Sequence, residues 1–118
     1  LDTAEGGYAN FHLVFAFRLS EFLGISPNVE QYREGKYFDL REGRFTGMRP
    51  LHDDFVSSDE AAKLPLLLRM DFSNMHLFRF SRQERNRLLD LMNHYFRLHL
   101  EGFPKLKSLD VLRDVFGS

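Results

Sequence analysis

The chain has no cysteine and no tryptophan among its 118 residues. The first absence excludes disulfides, thiolate zinc sites and cysteine nucleophiles. It fits a reducing cytoplasm. Long apolar runs are missing too. The longest, Leu13 to Phe17, is five residues, far short of the roughly 20 that a membrane-spanning helix needs. No signal-like segment opens the chain, which starts at Leu1 and reads as a piece cut from a longer protein. Motifs for catalysis are absent as well. There is no Gly-x-Ser-x-Gly elbow, no Walker-type loop and no dinucleotide glycine pattern. The histidines stand at 12, 52, 76, 94 and 99, and no two are four apart as a helical metal pair requires. His52-Asp53-Asp54 is the most ligand-like cluster, the seed of a metal-dependent hydrolase if a further histidine joined it. In a loop with no second contributor, it reads as a solvated turn.

What is present is phenylalanine, 13 residues of it. Phe brings large apolar area and no polar tip, so a Phe-rich core is expected. A chain this long makes one domain and buries enough surface to need no metal or cross-link. The net charge of −1 hides an asymmetry. Residues 1–60 carry six basic and eleven acidic side chains, whereas residues 61–107 carry nine and four.

The pattern predicts a mainly α fold, a single domain over 1–118 with about five helices and a small β-hairpin insertion at about 28–56. Tyr8 to Leu23 is apolar almost all round, which suggests a buried central helix with His12 hydrogen-bonded in the core. Gly24 and Pro27 end it. Tyr37, Phe38 and Leu40, then Arg44, Phe45 and Thr46, read as two strands around Arg41-Glu42-Gly43, with Gly43 left-handed. Met48 to Phe55 reads as irregular loop. Ser57 or Ser58 can cap the next helix, Ser57 having capping-box spacing to Glu60, and in the pattern over 61–70 Pro65 marks either a kink or the first turn of a second helix. A short helix and a turn are expected within Asp71 to Phe80. Ser81-Arg82-Gln83-Glu84 is a capping box that opens the clearest helix, which ends near Gly102. Ser108 caps a last short helix, Leu109 to Phe116.

The candidate working surface is Ser81 to Ser108. Arg79, Arg82, Arg85 and Arg87 fall within nine residues, and Arg97, Lys105 and Lys107 follow, interleaved with Tyr95, Phe96 and Phe103. Such a mixture suits a nucleic-acid backbone with stacked bases. It suits equally an acidic peptide ending in an apolar residue. It is also what a solvated cationic face over an aromatic core looks like. The candidate contact residues are Arg82, Arg85, Arg87, Tyr95, His99, Lys105 and Lys107.

Three stretches carry a resemblance. They are Ala9-Asn10-Phe11-His12-Leu13, then Phe22-Leu23-Gly24-Ile25-Ser26-Pro27-Asn28, then Tyr95 through Ser108 with its Tyr-x-x-x-His-Leu end and Leu-Lys-Ser turn. In order and spacing the whole chain resembles the helical C-terminal domain of the recombination protein O family, RecO. The resemblance implies a non-catalytic mediator of DNA repair and recombination in the bacterial cytoplasm. It implies an N-terminal OB-fold domain, which this chain lacks. It also implies binding to single- and double-stranded DNA, strand annealing, work with RecR, and capture of the acidic C-terminal tail of single-stranded DNA-binding protein, which together load recombinase. Many members of the family carry a four-cysteine zinc site after the Pro-Asn turn. This chain does not, so no metal and no cofactor are expected. Tyr32, Tyr37, Phe38, Phe45 and Phe55 are expected to form the local core in place of the zinc-ribbon-like segment. A purely structural support domain for a DNA-binding OB-fold is the alternative.

Overall fold

In the computed structural model, residues 9–100 are described. Lys105, Lys107 and the helix expected at Leu109 to Phe116 lie outside them. Helix α1 spans Phe11–Phe22. Its N-cap residue, Asn10, does not cap. The buried Asn10 amide donates instead to the carbonyls of Met75 (3.0 Å) and Phe78 (2.8 Å). The helix ends as the sequence indicates. Gly24 takes φ +77°, its N–H donates to Glu21 O, and Ile25 N–H donates to Ser20 O. This is a Schellman stop, and its left-handed residue favours glycine.

Leu13, Val14, Ala16, Phe17 and His12 of α1 are buried. Burial all round, expected from composition, does not occur. Phe11 and Phe15 are half-buried and Phe22 is 86 % exposed. Composition counts apolar residues, whereas burial needs neighbours on every side, and here α1 packs chiefly on the last described helix and on the short segment at 64–69.

The insertion is more than a hairpin. Strands β1 (Tyr37–Asp39), β2 (Arg44–Thr46) and β3 (Phe55–Val56) form an antiparallel sheet in the order β2-β1-β3. Phe38 stands opposite Phe45 on one side and Val56 on the other. Strand β3 lies at the end of the stretch read as irregular loop. Two residues are too short to show alternation, and their pairing partner is 16–18 positions away. The β1–β2 connection is four residues, one more than expected, because Leu40 leaves the strand and buries. Asp39 Oδ1 accepts from the Arg41 and Glu42 N–H groups, and Gly43 takes φ +70°. A Cβ at Gly43 would also come within 3.0 Å of the Tyr95 hydroxyl. Ring contacts join Tyr32 to Phe45 (5.4 Å), Phe38 to Phe45 (5.0 Å) and Tyr37 to Phe55 (5.7 Å).

Two short helices follow, α2 (Ser58–Ala61) and α3 (Leu64–Arg69). Pro65 sits in the first turn of α3, where its missing N–H costs nothing. Ser57 precedes α2 without a side-chain cap bond. Glu60, the expected box partner, is engaged elsewhere. A 3₁₀ turn at Met75–Leu77 leads to α4, Arg82–His99. The described residues hold two long helices, two short ones, the 3₁₀ turn and a three-stranded sheet, while one of the about five expected helices, Leu109 to Phe116, lies outside them. Phe17, Phe38 and Phe96 are the largest fully buried side chains of the shared core among the described residues.

Candidate protein and nucleic-acid interface

Of the candidate surface read from the sequence, Ser81 to Ser108, the described part falls on α4, and the helix has two unlike ends. At its start, Ser81 Oγ accepts from Glu84 N–H (3.0 Å) while Glu84 Oε1 accepts from Ser81 N–H (2.8 Å). This reciprocal pair satisfies two donors that a helix N-terminus leaves open. The Ser81 N–H and then Lys63, 3.0 Å away, hold the Glu84 carboxyl below its usual range.

The cations here are sorted by helical spacing. Arg82 and Arg85 are three apart and share a side of α4. Arg85 Nη1 donates to Phe80 O (2.7 Å). Arg82 is exposed, and its side chain makes no hydrogen bond or ion pair among the described residues. Arg87 turns toward α2, where its Nε and Nη2 donate to Glu60 Oε2 (2.7 Å) and Oε1 (3.0 Å). This forked bond pulls the Glu60 carboxyl down and pushes the guanidinium up. Between α2 and α4 lies a cavity of about 190 Å³, lined by Glu60, Lys63, Gln83, Glu84, Arg87, Leu88 and Leu91. Its floor is leucine and its rim is charged.

The other end of α4 is built into the core. Tyr95 is 4 % exposed. Its hydroxyl donates to Ile25 O (2.6 Å), and burial pushes it up to about 12. His99 lies over Tyr95 at 4.1 Å and its Nε2 donates to Leu40 O (2.7 Å). Arg82 and His99 are 17 residues apart, roughly 25 Å along the axis at 1.5 Å per residue. Among the described residues, then, the candidates separate into an accessible N-terminal group and an anchored C-terminal group. Lys105 and Lys107 lie outside the described residues.

One constellation was not visible in the sequence. His94 Nε2 meets Asp54 Oδ1 at 2.8 Å, and Arg41 Nε donates to Asp54 Oδ2 at 2.7 Å. Arg41, then His94, hold the Asp54 carboxyl below its usual value. His52 Nδ1 accepts from Asp54 N–H (3.0 Å), which leaves its proton on Nε2, 3.1 Å from Asp39 Oδ2. The histidine–aspartate turn read as solvated is therefore a bonded hub that ties the sheet to α4. Its partners arrive from 13 and 40 residues away, and no local signal marks them. Its groups bond each other directly. Among the described residues no set of three or more His, Cys, Asp or Glu side chains could hold a metal ion, and no helix is long and apolar enough to cross a membrane.

The family model described as recombination protein O C terminal matches residues 1–110. A DNA repair protein RecO of Phocaeicola vulgatus is 53 % identical over 116 residues, covering 98 % of this chain and 48 % of the relative. One of Bacteroides fragilis is 52 % identical over 117 residues with the same coverage. One of Porphyromonas gingivalis is 39 % identical over 118 residues, again covering 48 % of the relative. The chain thus spans about half the length of these relatives. No solved structure matches it significantly. With the family model covering nearly the whole chain and the relatives this similar, the chain belongs to the RecO family, in its C-terminal region.

Proposed function

We propose that this chain is a non-catalytic partner-binding domain of a bacterial recombination mediator, working in the cytoplasm. Its primary ligand is the acidic C-terminal tail of single-stranded DNA-binding protein. The observation that carries this reading is the cavity between α2 and α4. Leu88 and Leu91 form an apolar floor, and Lys63 and Arg87 stand at its rim. An apolar terminal side chain would enter the floor. The peptide carboxylates would take Arg87 and Lys63 from Glu60 and Glu84. Arg82 and Arg85, on another side of α4, add positive charge near the helix N-terminus, and Lys105 and Lys107 supply a second anchor. Tyr95 and His99 support the surface by fixing the far end of α4. The relatives are named DNA repair proteins. In that setting the domain contributes to binding of RecR and of single- and double-stranded DNA, and through them to strand annealing and recombinase loading.

Fluorescence anisotropy with a labelled acidic peptide ending in Asp-Phe carboxylate tests this. Saturable binding at low salt is expected. Charge-assisted hydrogen bonds are worth roughly 1.5–3 kcal/mol each, so R82A combined with R87A should weaken binding at least about tenfold. No saturable binding, or no change in the double variant, sinks the assignment.

A second reading, structural support for a DNA-binding OB-fold, is favoured by a specific observation. Arg85, Arg87, Tyr95 and His99 all bond within the domain. Under that reading this chain binds neither peptide nor DNA, while a full-length protein containing it binds DNA.

A further inference from the structure

The outer face of the sheet is crossed by a braced segment. Residues directly opposite one another on antiparallel strands point to the same side. Phe38, Phe45 and Val56 face the core, so Tyr37, Asp39, Arg44, Thr46 and Phe55 face outward. Residues 47–53, between β2 and β3, lie across that outward side as a strap. His52 pins it, with Nε2 3.1 Å from Asp39 Oδ2 and Nδ1 accepting from the Asp54 N–H at 3.0 Å. Arg49 places its guanidinium 5.3 Å from the centre of the Phe55 ring, and that ring meets Tyr37 at 5.7 Å.

Two side chains of the strap point away from the sheet. Met48 is 80 % exposed, and Leu51, at 105 %, is the most exposed large apolar side chain among the described residues. Single exposed apolar residues need no explanation. These two alternate with the bracing residues, Met48 before Arg49 and Leu51 before His52, so each is held outward by the residue that follows it. Pro50 between them has a fixed φ. A tip braced in this way loses little freedom when it inserts into a partner. The charge around it is nearly balanced. Lys36, Arg44 and Arg49 stand with Glu42, 3.6 Å from Arg44, and with the exposed Asp53. The tip is thus suited to insertion rather than to long-range attraction.

We propose that Met48 and Leu51 form a wedge that enters a base step of duplex DNA and unstacks it. The inference rests on the reading that this domain touches DNA, and adds to it a distortion that the cations of α4 do not supply. Proteins that kink DNA put apolar wedges such as Met, Leu or Pro between base pairs, with Arg or Lys beside them. Met48-Arg49-Pro50-Leu51 contains each of these types. Size points the same way. Two side chains fall far short of the ~800 Å² per partner that a stable contact between proteins buries, whereas a single base step is opened by a wedge of this size. Arg49 has no carboxylate partner among the described residues, so a flanking phosphate can take its guanidinium from the Phe55 ring.

The test is a short duplex with 2-aminopurine beside a central TA step, a step that kinks easily. Anisotropy of an end label reports binding of this chain, and 2-aminopurine emission reports unstacking. Emission should rise several-fold at saturation. Met48→Ser combined with Leu51→Ser should abolish the rise while the duplex is still bound, and Met48→Leu combined with Leu51→Met should keep it. Both side chains are exposed, so both double variants should retain the urea midpoint of the native chain. A bound duplex whose 2-aminopurine stays silent overturns the wedge alone and leaves the tip for an apolar pocket on a protein. A rise that survives in the serine variant overturns it as well. So does loss of binding itself in a serine variant with the native midpoint, which makes the tip an anchor. No saturable binding of the duplex by the native chain removes the DNA part of the proposed function together with the wedge. Peptide binding at the α2–α4 cavity plays no part in either readout.

Discussion

The two ends of α4 use similar residues for opposite purposes. At the C-terminal end, His94, Tyr95 and His99 each reach a group outside the helix: Asp54, Ile25 O and Leu40 O. Those bonds join α4 to the sheet and to the turn after α1. At the N-terminal end, Arg82 is unengaged among the described residues, and Arg87 is held by one exposed carboxylate that another anion can replace. Exposed ion pairs are worth only about 0–1 kcal/mol, so exchanging Glu60 for a ligand carboxylate costs the fold little. The comparison teaches that a basic, aromatic stretch of sequence can be half scaffold and half surface, divided by what each side chain already bonds.

If the division is right, substitutions at the C-terminal end cost stability and those at the N-terminal end cost binding. The largest effect is expected for Phe96→Ala, a fully buried ring. It should lower unfolding free energy by about 3–5 kcal/mol, read from the urea midpoint. A loss below 1 kcal/mol would show that this end is not core. Tyr95→Phe comes next. It deletes the donor to Ile25 O while keeping the ring, and should cost about 1–3 kcal/mol, with peptide affinity unchanged in protein that remains folded.

The smallest effect concerns pH. Asp54 has a folded-state value below the ordinary 3.8, from Arg41 first and His94 second. A depressed acid contributes stability that is fully present above its unfolded value and lost as pH falls through its folded value. Urea midpoints of the native chain should therefore fall as pH drops below about 3.8. Asp54→Asn should flatten that limb. An unchanged slope would remove Asp54 from the hub.

Much of the fold was legible because its signals are local. The Ser81–Glu84 box, the Gly24 stop and the left-handed Gly43 depend on residues within a few positions of one another, and each forms as its spacing indicates. The Ser57–Glu60 box has the same spacing and does not close. Glu60 is taken by Arg87, 27 residues later, and a forked charge-assisted bond outcompetes a neutral backbone donor. Likewise β3 needs β1, and the Asp39–His52 and Asp54–His94 pairs need the sheet and α4 brought together first. The basic stretch was legible as composition. Its division was not, because which arginine faces a carboxylate is decided by tertiary packing.

The claim that the N-terminal end of α4 is the binding end is tested most directly by anisotropy titrations of the acidic peptide against three proteins: the native chain, Arg87→Ala and Glu60→Gln. Arg87→Ala should weaken binding by about tenfold or more. Glu60→Gln should tighten it, because it releases Arg87 from its internal partner, and both variants should keep their unfolding free energies within about 1 kcal/mol of the native chain. Affinities that do not move in either variant, or that weaken in both, would contradict the account and leave the arginines as part of the scaffold.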